Sequence, residues 1–540
     1  MDKQNDTRRW FGTMLDCSRN AVLTVESVKE WIDISADLGY NMLMLYTEDT
    51  YEVKGHPYFG YCRGRYSVEE MKEINAYARS KGMELIPNIQ TLAHLNAITR
   101  WPAYASLIDQ KDFLMIGETE VYQLIDDMFK TISETCTSQY VHVGMDEAYG
   151  LGRGRYYDLH GDSDVAELFI EHINKVAEIG KKYGKIILVW GDMFHSLMGP
   201  GKHENLPENF NRSLCEKIPD NVELVCWEYN NPSTEFYDGR IKSHNRIREG
   251  SWFAGGFRSW HGFTPHNAYS LKHIKAAMAA CDINQVKDLF FTIWGNNGAE
   301  CSKFSLLPSL FYASELAKGH TVEEEIRRAF EEKFGIAWDD FLLLDLPDSP
   351  NGKEEGLYNS EKYLLYNDPF MGLMDSTLDG TEGNAFAECA RKLACVSKNQ
   401  RWGYLFETQK ALCEVLAVKA NLGSRTRNAY HSKNKQLLSA AIAEYEMLEE
   451  KLAVFYETYR RQWYRENKGH GFDVQDIRIG GLRQRIHHCK EMLKAYQEGK
   501  LERIEELEEI LLDFSGNGEQ FERKPLVFKN WNEISTANVL

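Results

Sequence analysis

Two adjacent acids, Asp146 and Glu147, end the hexapeptide His142-Val-Gly-Met-Asp146-Glu147 and are the strongest candidates for chemistry in this chain. They follow a short β-type run from Gln139 to Val143, so the pair lies where a strand ends and a loop begins. At such a point the chain bends and both carboxylates can enter one cleft, which is where barrel enzymes place catalytic groups. The sequence therefore predicts a catalytic acid pair at a strand end.

The adjacency of the two acids limits the reactions that they can perform. Conventional glycosidases hold two carboxyl groups about 5 to 9.5 Å apart across the scissile bond, so these groups usually come from different strands. Neighbouring acids suit a substrate-assisted reaction better, in which the 2-acetamido oxygen of the sugar attacks C1. One acid then protonates the leaving oxygen, and the other holds the acetamido nitrogen. An isolated Asp-Glu pair is more often a helix N-cap beside a solvated glutamate, so the surrounding sequence decides between these interpretations.

Three tryptophans supply that context. Trp190, Trp227 and Trp294 all lie downstream of the acid pair, and each ends an apolar run that is typical of a buried strand. Any one of them alone would be interpreted as core or rim packing. Their repetition at the same end of successive strands predicts an aromatic box around a sugar.

Strand and helix patterns alternate over about the first 320 residues and predict a parallel α/β fold. The predicted strands are Phe11 to Leu15, Asn41 to Tyr46, Met83 to Pro87, Tyr140 to Val143, Lys185 to Trp190, Glu223 to Trp227, Trp252 to Gly255 and Leu289 to Trp294. Amphipathic helical patterns lie between them at Val25 to Leu38, Val68 to Lys81, Val165 to Tyr183 and Ala268 to Cys281. These alternating units, with candidate residues at many strand ends, favour a (β/α)8 TIM barrel over a doubly wound sheet.

The alternation stops after Pro308, which predicts a catalytic barrel over residues 1–320 and a mostly α-helical C-terminal domain over residues 321–540. Apolar side chains recur at steps of three and four from Leu438 to Trp463 and predict one long amphipathic helix of a bundle. A second helix is predicted from Leu501 to Asp513.

Two segments of the C-terminal region carry signals that interrupt helices. Leu344 to Asp379, with several prolines and glycines, is interpreted as an irregular link. Gly471 to Gly481 is interpreted as a turn that packs on the barrel. The alternative for this second segment is a loop that lends a polar group to the cleft.

Composition excludes some classes of partner. The chain of 540 residues is longer than a domain with a single hydrophobic core usually is. Its formal net charge of −18 argues against nucleic acid or an anionic membrane as partner. No apolar signal segment and no run of about 18 apolar residues occurs, so a cytoplasmic location is expected. A small carbohydrate is the expected substrate, and the helical bundle could supply a homodimer contact.

The 11 cysteines are scattered and odd in number. Several, such as Cys226, Cys395 and Cys413, lie inside apolar patterns, which predicts reduced core thiols rather than disulfides. Because neither a Cys-x-x-Cys pair nor a histidine cluster occurs, we expect no metal and no other cofactor.

With these motifs in place, the sequence resembles the β-N-acetylhexosaminidases of glycoside hydrolase family 20. Their signature, His-x-Gly-x-Asp-Glu after barrel strand four, is matched by His142, Gly144, Asp146 and Glu147. The resemblance covers about residues 9 to 320. A first strand near residue 10, with a helical region after the barrel, resembles a subgroup of the family that has this arrangement.

The resemblance implies a role for each matching residue. Glu147 would be the general acid, keeping its proton through burial and a neighbouring negative charge, and would then act as base toward water. Asp146 would orient the acetamido group and stabilise the positive charge of an oxazolinium-like intermediate. Arg19 would grip sugar hydroxyls, and His94 would pair with an acid after strand two, for which Glu48 is the closer positional match.

Several positions depart from the family pattern. Acids of the strand-three motif are replaced by Asn88 and Gln90. The Tyr-x-Asp motif expected after strand seven is absent where Trp260 stands, so Tyr229 is the candidate for bonding the acetamido oxygen. After strand eight the expected Trp-x-Glu motif is missing. Either Asn296 or Glu300 then holds O4 and O6, which leaves gluco or galacto preference open.

These residues predict a retaining exo-β-N-acetylhexosaminidase that releases terminal β-linked N-acetylglucosamine or N-acetylgalactosamine. The alternatives are a barrel glycosidase that pairs Glu147 with a distant carboxylate, Asp192 or Glu228, and a catalytically inactive sugar-binding barrel suggested by the lost acids.

Overall fold

The computed structural model describes residues 9–201, 204–260, 262–350 and 360–512. Eight parallel strands form a closed barrel in which each strand pairs with its neighbours in the chain and the last pairs with the first. The strands are β1 (Trp10–Asp16), β2 (Met42–Tyr46), β3 (Glu84–Asn88), β4 (Tyr140–His142), β5 (Ile186–Trp190), β6 (Val222–Trp227), β7 (Trp252–Gly256) and β8 (Asp288–Ile293).

Helices connect these strands around the outside of the barrel. They are α1 (Val25–Leu38), α2 (Val68–Ser80), α3 (Asn96–Thr99), α4 (Thr119–Thr135), α5 (Arg155–His160), α6 (Val165–Lys182), α7 (Asp192–Met198), α8 (Thr234–Ile247), α9 (Asn267–Ile283) and α10 (Leu307–Ala317). The loop after β3 also contains a two-stranded antiparallel hairpin of Ile108–Gln110 with Phe113–Leu114. Short 3-10 helices cover Pro102–Leu107, Arg212–Lys217 and Lys303–Leu306.

Local sequence signals set several helix boundaries. The Ser67 side chain accepts the N–H of Glu70, and the Glu70 carboxylate accepts the N–H of Ser67, which is a capping box at the start of α2. The Asp164 side chain caps α6 by accepting backbone N–H groups of its first turn. At the end of α1, Gly39 takes the left-handed conformation with φ 96°, which costs glycine little.

The barrel interior is filled by apolar and aromatic side chains and is not a pore. Met14, Met44, Trp190 and Phe290 belong to one buried cluster within it. At Gly12 an added Cβ would lie 2.3 Å from the Met42 carbonyl oxygen, so only glycine allows β1 and β2 to approach this closely. Such dense packing is what fixes the strand ends that carry the site.

The C-terminal region is helical and is continuous with the barrel. Its helices are α11 (Glu323–Phe334), α12 (Trp338–Leu342), α13 (Ser360–Tyr366), α14 (Glu382–Val396), α15 (Gly403–Lys419), α16 (Leu422–His431), α17 (Lys435–Glu466), α18 (Phe472–Gln497) and α19 (Glu505–Glu508), with 3-10 turns at Leu343–Asp348 and Asp375–Thr377. One buried cluster runs from Trp31 on α1 through Phe304 and Trp402 to Tyr459 on α17. The two regions therefore share a hydrophobic core, and the boundary at residue 320 stays a prediction.

The predicted barrel is confirmed. Each predicted strand differs from the observed one by no more than one residue at either end, and the predicted helices differ by no more than two. The long helix predicted over Leu438 to Trp463 is part of α17, and its apolar stripe is buried as expected. No helix in the described parts of the chain is both long enough and apolar enough to span a membrane.

Two predictions about the C-terminal region are wrong. Gly471 to Gly481 is not a turn, because α18 begins at Phe472 and continues through both glycines, with Phe472 and Ile479 buried against the core. Tertiary packing there outweighs the low helix propensity of glycine. Within Leu501 to Asp513 only Glu505–Glu508 is helical, and Asp513 lies outside the described residues. Arg427 donates to the carbonyl oxygens of Leu507 and Glu509, which satisfies this backbone without a longer helix.

Two further expectations need correction. The segment from Leu344 to Asp379 is not irregular throughout, because α13 lies inside it and is buried along its whole length. Residues 351–359 of the segment lie outside the described residues. All 11 cysteines are free, and Cys226 and Cys413 are buried as expected. Cys395 is exposed and is not a core thiol.

Candidate active site

The acid pair lies in the loop that follows β4 at the carboxyl-terminal face of the barrel. Non-glycine residues with positive φ angles at this face include Glu48 at 38°, His94 at 58°, Met145 at 68° and Glu147 at 52°. Each such conformation costs on the order of 1 to 3 kcal/mol. Strained residues of this kind are found mainly at active sites and ligand-binding sites. Positive φ angles also occur in the loops after β1 and β8, so the strain is spread around this face.

Asp146 is held rigidly and is ionised. Its Oδ1 accepts a hydrogen bond of 2.8 Å from the Gln90 amide, and its Oδ2 lies 3.3 Å from His94 Nε2. Burial raises the pKa of the Asp146 carboxyl, but the positive charge of His94 and the hydrogen bonds outweigh burial and hold this pKa well below its usual value. Asp146 is therefore a fixed negative charge that faces the cleft.

Gln90 organises the loop that carries the acids. Its amide nitrogen also donates to the Tyr46 hydroxyl at 3.0 Å, and its carbonyl oxygen accepts the N–H of Met145 at 3.0 Å. At Gly144, where φ is 70°, an added Cβ would lie 2.0 Å from the Gln90 oxygen. The glycine of the motif is thus explained by the close approach of Gln90.

Glu147 differs sharply from its neighbour, because 39% of its side chain is exposed while only 13% of the Asp146 side chain is. The expected burial of Glu147 is therefore wrong. Its backbone N–H donates to Asp192 Oδ2 at 3.0 Å, which fixes the strained backbone and leaves the carboxyl group directed into the open cleft.

His94 lies between the two acids. Its Nε2 is 3.3 Å from Asp146 Oδ2 and 3.9 Å from Glu147 Oε2. Burial lowers the pKa of His94, but the charge of Asp146 outweighs burial and raises this pKa to about 9, so the imidazole is cationic at neutral pH. The predicted pair of His94 with Glu48 is wrong, because the Glu48 carboxylate ion-pairs with Arg19 instead.

Arg19 is anchored at the ends of β1 and β2. Its Nε is 3.0 Å from Glu48 Oε1, and an Nη is 3.1 Å from the buried Asp16 carboxylate. Its guanidinium also lies 5.1 Å from the centre of the Tyr46 ring and 5.2 Å from that of Trp294. With 21% of its side chain exposed, the guanidinium keeps donors available at the cleft floor.

The predicted aromatic residues converge on the same face. Trp190 and Trp294 lie 6.1 Å apart by ring centres, and both are almost completely buried. Tyr229 stacks on Trp227 at 5.3 Å and meets the edge of Trp260 at 5.1 Å. Burial raises the pKa of the Tyr229 hydroxyl, and the charges of Glu147, Glu228 and Asp146 raise it further.

The loop after β8 separates the two candidates for contacting O4 and O6. Glu300 is almost wholly buried and binds Lys362 Nζ at 2.8 Å and an Nη of Arg478 at 2.8 Å, both from the C-terminal region. Asn296 precedes it in the loop and is half-buried. Because the Glu300 carboxylate is already engaged by two cations, the structure favours Asn296 for contact with a ligand.

The two carboxylates that could act at a distance are both buried. Asp192 keeps 2% of its surface exposed and Glu228 keeps 1%. Burial and the charge of Asp146 raise the pKa of Asp192 to about 6. The Glu228 carboxylate accepts the backbone N–H groups of Tyr229 and Asn230 at 2.9 and 3.0 Å, so it stabilises a turn.

Sequence reasoning missed several contributors to the site. Gln90 was recognised only as a departure from an expected acid, and Tyr46 was seen only as the end of a strand. The period-two pattern of β2 could have found Tyr46, because it points the ring into the barrel beside Met44 and Met42. Arg478 and Lys362 carry no local signal, since they reach the barrel only through tertiary packing.

Comparison with known families identifies both regions of the chain. A model described as the catalytic domain of glycosyl hydrolase family 20 matches residues 9–235. A model described as the C-terminal domain of glycoside hydrolase 20C matches residues 339–525.

Each of the individual relatives compared matches less than half of this chain. Human hexosaminidase D is 28% identical over 214 residues, which are 38% of this chain and 42% of the human protein. A β-hexosaminidase of Porphyromonas gingivalis is 26% identical over 223 residues, which are 35% of this chain and 28% of that protein. The matches span about half the length of the human and bovine hexosaminidase D proteins, 42% and 55%.

Among solved structures, a β-N-acetylhexosaminidase from Bacteroides fragilis is similar at 19% identity and a TM-score of 0.46, covering 61% of this chain and 70% of that chain. A chitobiase from Flavobacterium johnsoniae is similar at 16% identity and a TM-score of 0.47, covering 84% and 78%.

Proposed function

Because the chain belongs to glycoside hydrolase family 20, we propose that it is an exo-β-N-acetylhexosaminidase acting on a terminal, non-reducing β-linked N-acetylglucosamine or N-acetylgalactosamine. The reaction retains the anomeric configuration and uses the 2-acetamido group of the substrate as nucleophile. The names of the relatives, hexosaminidase D and β-hexosaminidase, support this assignment.

One observation carries the proposal: the two adjacent acids have different environments. Asp146 is 13% exposed, is bonded by Gln90 and His94, and has a pKa held low. Glu147 leaves 39% of its side chain open to the cleft. Two titratable neighbours whose surroundings differ in this way suit two separate tasks, one as a fixed charge and one as a proton donor.

In the first step the acetamido carbonyl oxygen attacks C1, and the bond from C1 to the leaving oxygen breaks. Glu147 transfers its proton to that oxygen as the bond breaks. A sugar in the cleft would cover the exposed part of Glu147 and exclude water from it. The Asp146 carboxylate accepts the amide N–H and stabilises the positive charge that develops on the oxazolinium ring.

In the second step water attacks C1 from the face that the aglycone has left. The Glu147 carboxylate now takes a proton from this water, and the bond from C1 to the amide oxygen breaks to restore the acetamido group. Two inversions at C1 give overall retention. His94, cationic between the acids, holds Asp146 in place through both steps.

The remaining candidates hold the sugar. Arg19 supplies donors to hydroxyl groups at the closed end of the cleft. Tyr229, which packs between Trp227 and Trp260, would bond the acetamido oxygen. Trp190, Trp227, Trp260 and Trp294 form apolar walls, and Asn296 contacts O4 or O6.

The rival mechanism with a protein nucleophile has weak support. Asp192 and Glu228 are 2% and 1% exposed, and the oxygens discussed above accept backbone N–H groups. Their burial leaves almost no surface of either carboxylate exposed to C1 of a bound sugar. The substrate's own amide is therefore the better nucleophile.

A small panel of aryl β-glycosides tests the proposal. We expect hydrolysis of the 2-acetamido glycoside and a loss of at least about 10³-fold for the otherwise identical 2-hydroxy glycoside, because the intramolecular nucleophile contributes a large effective concentration. Similar rates for the two substrates would favour the rival glycosidase. Binding of the 2-acetamido sugar without release of product would identify an inactive sugar-binding barrel.

A further inference from the structure

Three aromatic side chains, Tyr58, Tyr61 and Trp101, form a cluster on the loops that follow β2 and β3. Their ring centres lie 5.4 Å apart for Tyr58 and Trp101, 5.5 Å for Tyr61 and Trp101, and 6.0 Å for the two tyrosines. Tyr58 and Tyr61 remain 44% and 49% exposed. Solvent-exposed aromatic rings grouped together, unlike single scattered ones, mark interaction sites. We call these three residues the aromatic platform.

One side of the platform is built onto the glycone pocket. Arg63, two residues after Tyr61, binds the Asp49 carboxylate at 3.1 Å and the Ser18 carbonyl oxygen. Asp49 and Ser18 are the immediate chain neighbours of Glu48 and Arg19, which form the floor of the cleft.

Gly60 makes the second link on this side. It takes a φ of 66°, and an added Cβ would lie 2.2 Å from the carbonyl oxygen of Asp49. The loop is therefore pressed against the end of β2 immediately before Tyr61.

The other side of the platform follows His94 in the loop after β3. The N–H of Ile98 donates to the carbonyl oxygen of Leu95 at 3.0 Å, and the N–H of Trp101 donates to that of Ile98 at 3.0 Å, so two successive turns connect Trp101 to the neighbour of His94. The platform is thus continuous with the site through the residues flanking Glu48 and those flanking His94. Arg100 lies with its guanidinium 5.0 Å from the centre of the Trp101 ring and adds hydrogen-bond donors beside the rings.

We propose that the aromatic platform binds the sugar residues on the reducing side of the scissile bond, so that the protein prefers oligosaccharides to simple glycosides. This inference rests on the proposed function. The flat faces of the rings suit the C–H faces of a pyranose, and Arg100 suits its hydroxyl groups.

A macromolecular partner fits the platform less well. Two rings that are each just under half exposed present on the order of 200 Å² of accessible surface. A stable protein interface buries roughly 800 Å² of accessible surface on each partner. A saccharide of two or three units matches the smaller area.

The test compares chitotriose with methyl β-N-acetylglucosaminide as substrates. For the double variant Tyr58→Ala/Tyr61→Ala we expect the ratio of the two kcat/KM values, chitotriose over methyl glycoside, to fall by about tenfold, the size expected for losing two aromatic contacts. The matched variant Tyr58→Phe/Tyr61→Phe keeps the rings and should keep the ratio. Tyr464→Ala, which removes a tyrosine 52% exposed on α17, is the control and should not change it.

The outcomes separate this inference from the proposed function. An unchanged ratio in the double alanine variant, with the wild type hydrolysing both substrates, overturns the platform alone. If the wild type hydrolyses neither, the proposed function fails, and calorimetric affinity for chitotriose then tests the platform in the same variants. An unchanged ratio accompanied by a change in oligomeric state, measured by light scattering, would assign the rings to a contact between copies of the chain.

Discussion

The acid pair after β4 and the Glu300 cluster after β8 are built from the same residue types but differ in exposure. In each, carboxylates meet cationic side chains at about 3 Å, with His94 between Asp146 and Glu147, and Lys362 and Arg478 on Glu300. Glu300 and Lys362 are 2% and 0% exposed, whereas Glu147 is 39% exposed. The first cluster keeps a partly exposed carboxyl group that a ligand can reach, and the second is closed.

Exposure decides what a charge cluster can do. A buried, fully bonded carboxylate such as Glu300 joins two regions of the fold and resists any ligand, because breaking its contacts would leave charges uncompensated. The backbone of Glu147 is strained and is held by a hydrogen bond to Asp192. This bond positions the Glu147 carboxyl group without occupying its oxygens. The comparison predicts that substitutions in the first cluster reduce turnover and substitutions in the second reduce stability.

The largest effect is expected for Glu147→Gln. For an alkyl β-N-acetylglucosaminide, kcat should fall by about 10² to 10⁴, the range for loss of a general acid. An aryl glycoside with a good leaving group should lose less, because its oxygen needs little protonation. Measuring kcat for both substrates checks this. Near wild-type turnover of the alkyl glycoside would remove Glu147 from the role of acid.

Asp146→Asn should follow, with a fall of about 10² to 10³ in kcat for 2-acetamido substrates, because the variant loses the charge that balances the oxazolinium ring. The fold should persist, since Asn can still accept the hydrogen bond from Gln90. Steady-state kinetics together with a melting temperature test this. A variant that melts normally and turns over normally would contradict the role given to Asp146.

Glu300→Gln tests the other half of the comparison. This change removes the carboxylate charge that pairs with the buried Lys362, so the free energy of unfolding should fall by about 3 kcal/mol. The kcat of the folded protein should change far less than in either cleft variant. Glu167→Gln, which breaks an ion pair between side chains 54% and 43% exposed, is the control and should cost less than about 1 kcal/mol. Denaturant unfolding measures both. Equal losses of stability would contradict the assignment of Glu300.

The smallest effect concerns pH. The pKa of His94 is raised from 6.5 to about 9, so its stabilising charge is fully present below pH 6.5 and is lost as pH rises through 9. The difference in melting temperature between the wild type and His94→Gln should therefore shrink between pH 6.5 and 10. A difference that stays constant across this range would show that His94 does not carry the charge that holds Asp146.

Much of the fold was predictable because its signals are local. Buried parallel strands appear as short apolar runs and amphipathic helices as stripes, and within the barrel both were located to within two residues. The turn predicted over Gly471 to Gly481 failed because Phe472 and Ile479 pack a glycine-containing segment into α18. Tertiary packing of this kind cannot be recognised from the pattern of a short sequence segment.

The site was predictable where its chemistry lies on strand ends, and not where it depends on partners. The acid pair and the tryptophans Trp190, Trp227 and Trp294 lie at strand ends that the local pattern indicates, whereas the family resemblance indicated Arg19 and His94. The actual partner of His94, the closed environment of Glu300 and the openness of Glu147 depend on which side chains meet across the barrel. Residue type alone does not contain that information.

The central claim is that the substrate's amide oxygen is the nucleophile and that Asp146 stabilises the cyclised intermediate. A thiazoline that mimics this intermediate, compared with the product N-acetylhexosamine as competitive inhibitor, tests the claim most directly. We expect the thiazoline to bind at least about 10²-fold more tightly than the product, as a mimic of the high-energy species should. Equal inhibition constants for the two compounds would contradict the account.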